Sequence, residues 1–133
     1  MTNKTNNINQ INHTNHINHT NHINHINKTA IITGASRGIG AAIAKKLASC
    51  GYNLSLCCRN SSDRLKALAD ELHCAYGIEV LCYTGNVGDF FFAKDMVANT
   101  ISHFGHIDVL INNAGISHIG LLSDMTPEEW NNI

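Results

Sequence analysis

The residues whose types and spacing could do chemistry begin with a glycine-spaced turn, Thr33-Gly34-Ala35-Ser36-Arg37-Gly38-Ile39-Gly40. This turn lies between an apolar, β-branched stretch and a stretch with helical periodicity. The first glycine permits a tight turn, and the later two let the backbone approach a phosphate and let the helix pack on the sheet. Because free N–H groups at a helix N-terminus attract anions, the turn predicts a phosphate site. The alternative is a glycine turn that holds no ligand.

A second candidate is Arg59, which comes at the end of the next predicted strand. Proteins that prefer NAD usually have Asp or Glu at this point to hold the ribose 2′-hydroxyl. No acidic residue occurs between Gly51 and Ser62. Since a guanidinium binds a phosphate through two parallel hydrogen bonds, Arg59 together with Arg37 favours a 2′-phosphate and the cofactor NADP(H). The alternative is that Arg59 is a solvated surface charge.

The third candidate is the tetrapeptide Asn112-Asn113-Ala114-Gly115, which directly follows an apolar stretch. Asparagine amides bond neighbouring backbone groups and hold a loop in shape. Alanine and glycine leave room for a ribose beside the chain. Taken alone, the tetrapeptide is also compatible with a plain turn.

The elements that must position these candidates alternate between strand and helix. Short apolar segments predict buried strands at Thr29–Thr33, Asn53–Cys58, Glu79–Thr84 and Asp108–Ile111. Helical spacing predicts three helices between them, marked by Ile39, Ile43 and Leu47, by Leu65, Leu68 and Leu72, and by Val97, Ile101 and Phe104. Gly51 and Gly105 should end the first and third helices. The order β-α-β-α-β-α-β implies a parallel sheet with right-handed crossovers.

A further helix is predicted to begin close to the end of the sequence. Thr126 suits the N-cap, Pro127 suits the first helical position, and Glu129 completes a capping box. Only about two turns follow before Ile133, and so short a helix is marginal by itself. We therefore expect a sheet that is cut off after its fourth strand.

Residues 1–28 are a low-complexity tail of different character. The hexamer Ile-Asn-His-Thr-Asn-His at 11–16 repeats unchanged at 17–22. Asparagine disfavours helices and strands, and isolated isoleucines cannot offset the entropy of ordering, so we interpret the tail as disordered. A histidine recurs at every third position, which also raises the hypothesis of a site for Zn²⁺, Ni²⁺ or Cu²⁺. The favoured interpretation is a tolerated repeat, and no metal ligand is assigned. The histidines concerned are His13, His16, His19, His22 and His25.

Charge and composition bear on the expected binding partners and the expected cellular compartment. The formal net charge of the 133 residues is -1, so nothing points to nucleic acid or an anionic membrane. No run approaches the roughly 18 apolar residues of a membrane span, and no secretory signal precedes the domain. The cytoplasm is therefore the expected compartment. The five cysteines are expected to be buried, reduced thiols.

The glycine turn at 33–40 and the Asn-Asn-Ala-Gly motif at 112–115, with their order and flanking elements, resemble one family, the short-chain dehydrogenases/reductases. The resemblance covers 28–133, and the segments 34–40 and 125–130 look most like its 3-oxoacyl-[acyl-carrier-protein] reductase branch. It implies an α/β fold with a Rossmann-type doubly wound parallel sheet. Residues 29–133 would then be an NAD(P)-binding domain that is incomplete at its C-terminus.

The resemblance also implies which residues lie along NADP(H). The family usually has Asp before Val at the end of the third strand, in contact with the adenine amine. This sequence has Asn86-Val87 there, and an amide carbonyl can still accept that hydrogen bond. The implied cofactor-binding residues are Gly34, Ser36, Arg37, Gly38, Ile39, Gly40, Arg59, Asn86, Val87, Asn113, Ala114 and Gly115.

The activity implied by the resemblance is hydride transfer between a nicotinamide and a carbonyl or alcohol. The family uses a Ser, and a Tyr followed four residues later by a Lys, the Lys lowering the pKa of the Tyr. No Tyr-x-x-x-Lys occurs here, so the chain itself is predicted to be inactive and no catalytic residue is assigned. Ser117 and His118 are interpreted as loop residues. The positions four residues after Tyr52, Tyr76 and Tyr83 hold Leu56, Val80 and Val87.

Three hypotheses about function follow. The first is the N-terminal part of an NADP(H)-dependent carbonyl reductase or alcohol dehydrogenase. Its full-length form would act on a small-molecule carbonyl or alcohol, and copies would pair through later helices. The second is a non-enzymatic NADP(H)-binding module. The third is a metal-binding or interaction protein led by the His-rich tail.

Overall fold

The computed structural model describes residues 28–133. The predictions for the tail, both its disorder and its metal site, lie outside the described residues. The strands are β1 (Thr29–Ile32), β2 (Asn53–Cys58), β3 (Val80–Thr84) and β4 (Val109–Ile111). The helices are α1 (Gly38–Ser49), α2 (Ser62–Tyr76), α3 (Phe90–Phe104) and α4 (Pro127–Asn131), with one 3₁₀ turn at Leu122–Asp124.

The strands form one parallel sheet in the spatial order β3-β2-β1-β4. Ala30 at the sheet centre lies opposite Leu54 on one side and opposite Val109 on the other. The chain therefore steps outward from β1 to β3 and then crosses back to the far side of β1. In open α/β sheets, ligands bind outside the carboxyl ends of the strands where the direction of winding reverses. Here that point lies between β1 and β4.

Helices cover both faces of the sheet, which confirms the doubly wound α/β prediction. On one face, Ile32 and Leu56 of the strands pack with Ala44 of α1 and with Leu65 of α2. On the other face, a smaller cluster joins Ile31, Cys57 and Met96, the last of these from α3. Because β1 and β2 are buried on both faces, apolar residues occupy adjacent positions in them rather than alternate ones, with Thr29 and Ser55 as the buried polar exceptions.

The buried stripe of α3 differs from the expected one. Met96 and Thr100 face the sheet, whereas Val97 is 41% exposed and Ile101 is 46% exposed. The Thr100 hydroxyl lies 2.7 Å from that of Ser55 on β2 and donates to the Met96 carbonyl. This buried polar pair fixes the rotation of α3. The helical spacing of Val97, Ile101 and Phe104 predicted that the neighbouring face of α3 would be buried, and that prediction is wrong for Val97 and Ile101.

The α1 helix shows a similar offset. Gly40, Ala44 and Ala48 are buried, while Ile39 is 74% exposed. Small side chains let the helix axis approach the sheet closely, and the half-buried Ile43 and Leu47 pack against the same core as expected, so only Ile39 departs from the predicted stripe.

The predicted helix ends are confirmed. Gly105 ends α3 with φ 86°; at its other end Asp89, which the sequence analysis did not single out, caps the helix by accepting from the Phe91 and Phe92 amides. Thr126 and Glu129 form the expected capping box of α4. Among residues 28–133, no helix has the length and apolar character that a membrane crossing requires.

The expectation of five buried thiols is wrong in part. Cys57 and Cys58 are buried, but Cys50 and Cys74 are exposed. Cys50 caps the end of α1 and Cys74 lies on the outer side of α2. Composition alone gives no information about which side of a helix a cysteine occupies.

Candidate functional site

The glycine turn and the Asn-Asn-Ala-Gly loop are joined at the carboxyl edge of the sheet. The Asn113 side-chain amide donates to the Thr33 carbonyl at 3.0 Å and to the Gly34 carbonyl at 3.1 Å. The backbone amides of Asn113 and Ala114 both donate to the Thr33 hydroxyl, at 3.0 and 2.9 Å. That hydroxyl in turn donates to the Ile111 carbonyl at 3.3 Å. Two motifs about 80 residues apart thus become one rigid platform at the point where the winding reverses.

Two of the glycines are required by close packing within this platform. A Cβ on Gly34 would lie 2.9 Å from the Ala114 Cα, and Gly34 also has φ +66°. A Cβ on Gly40 would lie 2.6 Å from the Asn113 side-chain nitrogen and would collide with the Gly34 carbonyl. Real side chains do not tolerate such distances, so substitution must move the turn.

Two other glycines face open space instead. A Cβ on Gly38 or Gly115 would meet no atom within 4 Å. Gly38 begins α1 with φ +58°, and Gly115 follows the platform on the β4 side. These positions leave the backbone accessible to a ligand, as a cradle for a phosphate and a ribose requires.

The N-terminus of α1 has the electrostatic character of an anion site. Arg37 is the N-cap and makes no side-chain cap, and the first turn holds no acidic residue. The leading N–H groups therefore have no side-chain acceptor from the helix itself, and they form the positive end of the helix dipole. Arg37 is exposed and adds a full charge. These donors fit a phosphate group.

The ends of β2 and β3 adjoin the platform. The Ala35 amide donates to the Cys57 carbonyl, and the Gly85 amide donates to the Cys58 carbonyl, each at 2.9 Å. Arg59 follows directly and is exposed. Burial raises the pKa of the Cys57 thiol, although a hydrogen bond from the Gly34 backbone acts in the opposite direction. Cys57 is therefore a neutral packing residue beneath the turn, and Arg59 is the charged group at the surface.

The turn after β3 contains the remaining predicted residues. The Asn86 side-chain oxygen accepts from the Gly88 amide at 3.0 Å. The Asn86 backbone carbonyl accepts from the Asp89 amide at 2.9 Å. Val87 packs partly against the cluster under α3. The Asn86 side chain is thus exposed and held by a hydrogen bond within the turn, while Val87 packs the turn against the core.

The predicted site residues therefore all lie at the carboxyl edge of the sheet. Sequence reasoning named Thr33 only as part of the motif and missed its hydroxyl as the centre of the platform. The sequence did contain a signal for this role, because Thr33 carries a hydroxyl group at the end of a strand and directly precedes the first glycine of the turn. Ser117 and His118 lie in the loop after the platform, where the His118 ring is 4.0 Å from the Glu129 carboxylate.

One cavity in the described part of the chain lies away from this edge. It has a volume of about 310 Å³ and is lined by Asp70, His73, Glu79 and His103, among others. These residues lie at the amino end of β3, opposite the glycine turn. Within residues 28–133, no group of three His, Cys, Asp or Glu side chains could hold a metal ion.

The family model of the short chain dehydrogenases matches residues 28–133. The chain belongs to this family. The match covers the platform, the helix N-terminus and the ends of all four described strands, so the resemblance drawn from the two motifs is confirmed.

Curated members of the short chain dehydrogenase family include close relatives. The 3-oxoacyl-[acyl-carrier-protein] reductase FabG of Staphylococcus epidermidis is 42% identical over 106 residues, which are 80% of this chain and 43% of that protein. Versicolorin reductase 1 of Aspergillus parasiticus is 36% identical, with 80% and 40% covered. The chain thus spans less than half the length of these relatives.

Solved structures of family members have the same fold. An alcohol dehydrogenase from Thermococcus sibiricus, in complex with 5-hydroxy-NADP, matches with a TM-score of 0.73 and 39% identity, covering 78% of this chain and 44% of that one. L-Sorbose reductase from Gluconobacter frateurii, in complex with NADPH and L-sorbose, matches with a TM-score of 0.73 and 36% identity, covering 78% and 39%.

Proposed function

We propose that residues 29–133 are the NADP(H)-binding part of an oxidoreductase that moves hydride between a nicotinamide and a small-molecule carbonyl or alcohol. The observation that carries the proposal is the platform centred on Thr33, which holds an uncapped helix N-terminus beside open backbone at Gly38 and Gly115. The nicotinamide supplies the hydride, and the chain contributes binding and orientation.

The charges around the platform support NADP(H) over NAD(H). Arg37 and Arg59 are both exposed, one at the helix N-terminus and one at the end of β2. An adenosine 2′-phosphate bound at the end of β2 would meet these guanidinium groups, which match a phosphate with paired donors. No carboxylate between Gly51 and Ser62 would repel it.

The substrate class is proposed from the relatives. FabG shares 42% identity over the matched part, so we favour a carbonyl reductase of the 3-oxoacyl-[acyl-carrier-protein] reductase type. The chain's own tyrosines do not support catalysis within these 133 residues. Tyr52 and Tyr83 pack against the two core clusters, and Tyr76 ends α2 at the opposite edge of the sheet.

A non-enzymatic NADP(H)-binding module is the second candidate, and the same uncapped helix N-terminus beside open backbone supports it. Both candidates require nucleotide binding, and they differ in hydride transfer. We expect the 133-residue chain to bind NADPH without oxidising it in the presence of a 3-oxoacyl thioester. Measurable oxidation of NADPH would contradict the prediction that these 133 residues include no catalytic residue.

The test of cofactor choice is calorimetric titration of the full chain with NADPH and NADH. Arg59→Ala should weaken NADPH binding by about tenfold or more, the usual loss when a hydrogen bond to a charged group is removed. NADH binding should not change. Arg64→Ala removes another exposed arginine, in the first turn of α2, and it should leave both affinities as they are. Equal losses for NADPH and NADH in Arg59→Ala would contradict a 2′-phosphate contact.

A further inference from the structure

We draw no further inference here: the strongest candidate, the surface patch of exposed apolar side chains that α3 and β4 present at Val97, Ile101 and Leu110, carries none because nothing in the described residues, 28–133, shows what covers it.

Discussion

Replacing Thr33 with valine keeps the shape of the side chain and removes only the hydroxyl at the centre of the platform. The Asn113 and Ala114 amides then lose their acceptor, at present 3.0 and 2.9 Å away, and the Ile111 carbonyl loses a weaker bond at 3.3 Å. An amide left unpaired in a buried site costs about 1–3 kcal/mol. Both of these hydrogen bonds are only partly buried, so water replaces part of the loss and we expect about 2–3 kcal/mol in total. For a domain of this size that lowers Tm by about 10–20 °C.

The assay is urea unfolding of the full chain followed by circular dichroism, with Thr33→Ser as the matched control. Serine keeps the hydroxyl and loses one methyl group, which costs about 1 kcal/mol. The reasoning is refuted if Thr33→Val unfolds within about 0.5 kcal/mol of the parent chain. It is equally refuted if Thr33→Ser is destabilised as strongly as Thr33→Val, because the hydroxyl would then contribute nothing.

Three other outcomes follow from the structure. Gly40→Ala should lower stability by about 1–3 kcal/mol in the same urea assay, because its Cβ meets the backbone of Gly34 and Ala35 as well as the Asn113 side chain; an unchanged midpoint would contradict this close packing. In the native chain, Cys50 and Cys74 should react quickly with a thiol reagent such as DTNB, whereas Cys57, buried and with a raised thiol pKa, should react only on unfolding; fast reaction of Cys57 would show that the turn opens. The Thr126 N–H lowers the pKa of the Glu129 carboxylate, so its support of α4 is complete above the unfolded pKa and is lost as the pH falls through the lower folded value. The protection of the α4 amides against hydrogen exchange, taken relative to the intrinsic exchange rate at each pH, should fall over that interval, and protection that does not change with pH would argue against the capping box.

Local patterns made much of the fold predictable. The glycine turn, the apolar strands and the capping residues Gly105 and Thr126 each depend on a few neighbouring positions, and all were found where expected. The parallel direction of the strands was also predictable, because the alternation of strands and helices implies right-handed crossovers between parallel strands.

The parts that sequence reasoning missed depend on contacts between distant segments. The hydroxyl of Thr33 gains its role only because residues about 80 positions away return beside it. The rotation of α3 is set by Thr100 and Ser55, which are 45 positions apart. No pattern confined to one segment could reveal these two features.

The central claim is that NADP(H) binds at the carboxyl edge of the sheet, and amide NMR during titration with NADPH tests it most directly. We expect the largest shift changes in the turn from Gly34 to Gly40, with further changes at Asn86 and at Asn113. Amides at the amino edge, around His73 and His103, should not move. Shifts confined to that opposite cavity, or no shifts at saturating nucleotide, would contradict the account.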